Sequence, residues 1–393
     1  MPMEQTTIEV DSLGVTVVRN TIPERPTSPW TLTESLRIRG ETASGELQWG
    51  QLTGLAVDGE GSIYTIDRDR RLILAFNSSG EPKWTTAGAG EGPGELSSGR
   101  LQLFVTPEGS PVVVDIGVLR IHRYDSTGQF RTDQPIDLNL GAPIAWRIST
   151  TGELFVQVKH VVRTGEIPTG AVSRIIRVGV DPDTVIAIES GGVIDLRDGP
   201  SGVRTEVFRS EPTWLISDAD RLVLGLSDRY EIRVMDLAGQ IERITTLSRK
   251  RQLVTDADRN EYLEVMKSGL GRQVEGQGPA ALETIQSLLA NVTFPTHYPH
   301  FASMELGPNG SMLLQRYPTV AELRIEQDSL TLAGIRRGSS YWDVFDSSGH
   351  FLGVQRFPSQ FVPMAYHGSA FLGIETDSLG IQSIVRLESE RPE

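Results

Sequence analysis

The segment His297-Tyr298-Pro299-His300 carries two of the chain's six histidines, three positions apart. In an extended stretch, two such imidazoles can join a metal site if a carboxylate or a third His arrives from elsewhere in the chain. One His near its ordinary pKa also suffices for proton transfer, so His160, Tyr298 and His300 are the candidate acids and bases. The plain alternative is a proline-fixed loop with packed aromatics. Arg68, Arg163 and Arg316, with Gln315, could hold a carboxylate or phosphate group through paired N–H donors. Their competing role is pairing with Asp67, Asp115 or Asp377 between neighbouring elements, and Asp67 could also brace its own loop. Trp146 and Trp214 could stack on a sugar or an aromatic ligand, although core packing is the default for buried indoles. Gly88-Ala-Gly90 has the spacing of a phosphate loop, but a strand and not a helix follows it, which argues against nucleotide binding.

These residues need a scaffold, and Leu52 to Leu96 shows what it is. Four short strands, 52–57, 62–66, 72–76 and 82–86, are separated by tight turns such as Asp58-Gly-Glu-Gly61 and Asn77-Ser-Ser-Gly80. A four-stranded antiparallel meander of this length is one blade of a propeller. Altered copies follow at 101–138, from 143, at 213–247, at 301–356 and at 361–387, and the last is one strand short. Trp30 to Ile38 alternates like a strand and precedes the first blade, so it is assigned as the outer strand of the last one, removing the ring's open edges. The expectation is an all-β, six-bladed β-propeller over 30–393 with an N-terminal extension, 1–29. A helical insertion, 249–296, falls between blades four and five. Thr255 or Asp256 can cap its first helix, and Pro279 suits the first turn of its second. This insertion is too short to bury a core of its own.

In such a blade, hairpins joining the first to the second strand and the third to the fourth lie on one face of the disc. The remaining connections lie on the other. Most tight turns fall in the first group. The long segments, 87–98, 160–173, 190–212, 249–300 and 316–340, fall in the second, so a ligand site is expected on the long-loop face, over the central channel. A net charge of −14 and a pI near 5.0 argue against a nucleic-acid partner. The chain has no cysteine, hence no disulfide or thiolate chemistry. No apolar run is long enough to span a bilayer, and the start lacks the pattern of a secretory leader.

Ile63-Tyr-Thr-Ile-Asp67, Arg71-Leu-Ile-Leu-Ala-Phe76 and Ser79-Gly80 resemble the NHL-type repeat. Gly88-Ala-Gly-Glu-Gly-Pro-Gly-Glu-Leu96 and Val10 to Asn20 are similar to segments of the bacterial six-bladed β-propeller family. The resemblance implies an exported protein, often lipid-anchored in its full-length precursor, hence a periplasmic or extracellular location; this sequence shows neither leader nor lipid-bearing Cys. It supplies no active site to carry over. The reading is therefore a monomeric module that binds a small molecule or a protein, through Arg68, Trp146, His160, Arg163, Trp214, His297, Tyr298, His300, Gln315 and Arg316, with no cofactor. The alternatives are a His-based lyase or isomerase and a metal-assisted lactonase or phosphotriesterase. The metal enzyme would need calcium or another divalent ion, yet the inner-strand starts offer few oxygen ligands for one.

Overall fold

The computed structural model describes residues 6–10, 14–41, 48–164, 167–179, 183–189, 205–274, 278–326 and 330–391. Six antiparallel sheets are arranged in chain order around an axis. Blade one is Leu52–Val57, Ile63–Asp67, Leu72–Phe76 and Pro82–Thr86, from the innermost strand outward. Thr31–Ile38 pairs antiparallel with Gln382–Glu390 and supplies the outermost strand of blade six, so the chain's two ends seal the ring as the sequence predicts.

The turn chemistry repeats from blade to blade. Asp58, Asn77, Asp125, Asp236, Asp346 and Asp377 each open a turn, and one side-chain oxygen accepts the N–H groups two and four residues on. A short acceptor side chain thereby fixes the reversal before any tertiary contact forms. The second strands Ile63–Asp67, Pro111–Asp115 and Leu222–Leu226 are buried at every position. They are flanked by other blades on both faces, which explains their near-continuous apolar runs.

The core is distributed. Six hydrophobic clusters, one at each blade interface, close the circle from Tyr64, Ile66 and Leu103 between blades one and two to Ile38, Leu55 and Ile374 between six and one. Each blade is thus held by its neighbours, and no single centre stabilises the whole.

The N-terminal extension is part of the ring. Thr16–Thr21 adds in parallel to the outer strand of blade four, Ile241–Ser248, and Thr6–Val10 adds antiparallel beyond it, making that sheet six-stranded. The chain then crosses the edge of blade five. Asn20 donates to the Gly349 carbonyl and accepts from Phe351 N–H, and the Thr27 carbonyl accepts from Val354 N–H at 3.0 Å. Gly353, at φ +137°, permits this crossing, because a Cβ there would collide with the Thr27 carbonyl. Residues 16–38 therefore form a strap over three consecutive blades.

One further feature differs from expectation. Residues 160–164 and 167–173 are strand and not loop: Leu154–Thr164 and Ile167–Arg177 pair antiparallel along their lengths in blade three. The insertion has no core of its own, as expected, and shares one with residues outside it. Helix α1 (Asp256–Gln273, capped by Thr255 with Asp258) and α2 (Pro279–Ala290) meet α3 (Val320–Glu326) and α4 (Leu332–Arg337), which come from the connection between the second and third strands of blade five. Phe208, Val254, Tyr262, Tyr298 and Val320 pack together beneath them. This cap sits on the long-loop face.

Candidate functional site

Where the cap meets the strap, a groove of about 530 Å³ opens on the long-loop face between blades four and five. Its floor is organised by Asp343 on the third strand of blade five, which is fully buried. The Asp343 carboxylate accepts from Tyr230 Oη at 2.6 Å, Arg249 Nη1 at 2.6 Å and Nη2 at 2.8 Å, and Arg316 Nε at 2.9 Å. One carboxylate thus balances two guanidiniums. Among the described residues Arg251 donates to backbone carbonyls alone, those of Tyr298 at 3.1 Å and His297 at 3.2 Å. Lys250 is exposed and makes no ion pair among the described residues.

The acidic wall is already engaged. Glu322 accepts from Thr319 N–H and Gln252, and Glu326 accepts from Ser339 and Ser340. Glu24 on the strap is the exposed carboxylate at the rim. His300 reports the balance from inside: burial first, then the charges of Arg251 and Arg249, pull its pKa down to about 4, outweighing Asp228 and Asp343. Its ring lies 5.3 Å from that of Tyr230 and is neutral at physiological pH.

The sequence-derived candidates divide between this groove and other places. His300 and Arg316 line it. His297 is not among the groove's lining residues and only accepts from Arg251 through its carbonyl, while Tyr298 is buried in the cap core, 4.9 Å from Phe208, with burial raising its hydroxyl pKa. Gln315 is spent on structure, accepting from Ser303 and donating to the carbonyls of Arg337 and Ser339. Trp146 and Trp214 are core residues of the blade interfaces, and Trp214 donates to Gln157 at 3.0 Å. Arg68 is exposed on blade one and donates to Gln51. His160 is half-buried on blade three against Gly141, and the Arg163 side chain lies outside the described residues. Asp67 and Asp115 brace their own loops through backbone N–H groups. Among the described residues, no three His, Asp or Glu side chains are grouped to hold a metal ion.

A larger cavity, about 750 Å³, occupies the central channel and widens toward the opposite, short-hairpin face. Arg147 of blade three and Glu305 of blade five both line it. Neither this pair nor Arg249, Arg251 and Asp343 was signalled by a motif, because each group is assembled from positions far apart in the chain.

No protein-family profile matches the sequence, and no curated protein matches it. Among solved structures, a candidate exported protein from Bacteroides fragilis is 10% identical, with a TM-score of 0.51, covering 96% of this chain and 100% of its own. A member of the DUF4221 family from Bacteroides vulgatus is also 10% identical, with a TM-score of 0.53 over 93% of this chain and 99% of that one. No helix among the described residues is long and apolar enough to cross a membrane. At such identities the likeness carries architecture alone, in agreement with the six sheets described above: the chain is a six-bladed β-propeller.

Proposed function

We propose that this propeller is an extracytoplasmic binding module whose site is the groove on the long-loop face, and that it takes a small ligand bearing a carboxylate. One observation carries the reading: Arg251 and Lys250 face the groove without carboxylate partners among the described residues, while Glu322 and Glu326 are occupied by hydrogen-bond donors. A guanidinium already oriented by two backbone carbonyls loses little freedom on meeting an anion. Tyr317, Tyr341 and Pro318 supply apolar surface for the rest of the ligand. The location follows from the family resemblance and is checked by fractionating cells that express the full-length protein.

Proton transfer by His300 is the enzymatic alternative. It is the weaker reading, because a base with a pKa of about 4 gives little driving force at neutral pH.

The test is thermal unfolding with succinate and citrate, against chloride at matched ionic strength. The midpoint should rise with the carboxylates, and Arg251→Gln combined with Lys250→Gln should abolish the rise, measured against the double variant's own ligand-free midpoint. An equal rise in the double variant overturns the assignment.

A further inference from the structure

The channel on the other face is a separate cavity with its own chemistry. Its volume lies within the range of small-molecule sites. Its wall combines strand backbone and apolar side chains, including Phe104, Ile148, Leu306 and Met364, with polar and charged ones, among them Asp58, Arg100, Gln102 and Asp218. Within that wall Glu305 projects from the innermost strand of blade five. Its carboxylate has no hydrogen-bond partner among the described residues, and burial raises its pKa to about 7. Arg147, on the innermost strand of blade three, is the charge that acts on it, yet the two make no ion pair. The guanidinium is held in place instead, by the Trp146 carbonyl at 2.8 Å and by the face of the Trp214 ring at 5.8 Å. An unsatisfied carboxylate and a fixed guanidinium thus share one cavity with a gap between them.

We propose that the channel binds a small zwitterion of the α-amino-acid type, its ammonium on Glu305, its carboxylate on Arg147 and its side chain against the apolar wall. Each charge of the ligand meets the opposite charge inside the channel, and a pair there is favoured over leaving either partly desolvated ion alone. A ligand with one of the two charges satisfies one residue and leaves the other as it was. The site does not depend on the long-loop groove, and its test shares no residue with it.

L-leucine is the probe, with isopentylamine and 4-methylpentanoate as the same skeleton lacking one charge each. Calorimetric titration at neutral pH should show saturable binding of leucine, and each single-charge analogue should bind at least about tenfold more weakly. Glu305→Gln and Arg147→Met should each weaken leucine binding by at least about tenfold. Glu305→Gln keeps the shape of a half-buried side chain, so its fold is expected to persist; an unchanged circular dichroism spectrum verifies this. Failure of leucine to bind at millimolar concentration, or undiminished binding by Glu305→Gln, overturns the proposal.

Discussion

The replacement Asp343→Asn tests how the long-loop face is held together. It keeps the volume of the side chain and removes its charge, leaving the guanidiniums of Arg249 and Arg316, whose side chains are only 18% and 28% exposed, without a counter-ion. Breaking a buried pair from one side costs about 3–5 kcal/mol. The Tyr230 hydroxyl, 2.6 Å from the lost carboxylate oxygen, adds about 1 kcal/mol if its bond weakens, and the two costs overlap. A loss of about 4 kcal/mol, over an unfolding entropy of about 2.1 cal/mol/K per residue, lowers the melting midpoint by about 5 °C for a chain of 393 residues. Calorimetric melts of wild type and variant at pH 7 measure the difference. Asp343→Ala with added formate is the companion: formate returns the missing carboxylate to the vacated space and should recover part of the midpoint, whereas chloride should recover less. A variant that melts within about 1 °C of wild type would mean that water already solvates both guanidiniums, and the view of Asp343 as the organiser of the floor would be refuted.

Other consequences follow from the same contacts. His300 has a folded pKa near 4 against an ordinary 6.5, so the unfolded chain binds the extra proton; stability is full above about pH 6.5 and declines as pH falls toward 4. Allowing for screening in an open groove, the decline attributable to His300 is about 1–2 kcal/mol, and His300→Gln should flatten that part of a urea-midpoint profile. His122, buried in blade two with neither ring nitrogen bonded and its pKa lowered by burial, adds a loss of the same sign that persists in this variant. Deleting residues 1–22 uncovers the outer strand of blade four; size-exclusion chromatography should then show self-association through the freed edge, and a monomer with an unchanged midpoint would show the added strands to be dispensable.

Most of the ring is legible because its signals are local. Asn77-Ser-Ser-Gly80 and Asp125-Ser-Thr-Gly128 declare their hairpins within four residues, and Thr255 and Pro279 mark helix starts in the same way. The alternation of Thr31–Ile38 marks a strand, and the missing strand of the last blade says where it goes. Thr16–Thr21 alternates as well, but nothing nearby names its parallel partner more than two hundred residues away. The site was harder to read for the same reason. Arg249 just past one strand and Arg316 at the end of another converge on Asp343 in the middle of a third, and Glu305, in a strand of mixed polarity, reads like any solvent-facing residue until the ring closes around it. His297-Tyr-Pro-His300 drew attention by composition, yet its residues part company: Tyr298 turns into the cap and His300 toward the arginines.

The strap also sets a timetable for synthesis. Residues 16–38 leave the ribosome long before their partners at 241–248, 349–355 and 384–390. At about 5–20 residues per second, the closing strand waits roughly 20–70 seconds for the last of them. During that interval two β-strands with no sheet to join are exposed on the nascent chain, and the first blades made have one neighbour each. Emergence of the last blade, and not the completion of any earlier one, is therefore the event that lets the ring close, and a chain lacking residues 384–390 would leave Thr31–Ile38 without its partner strand.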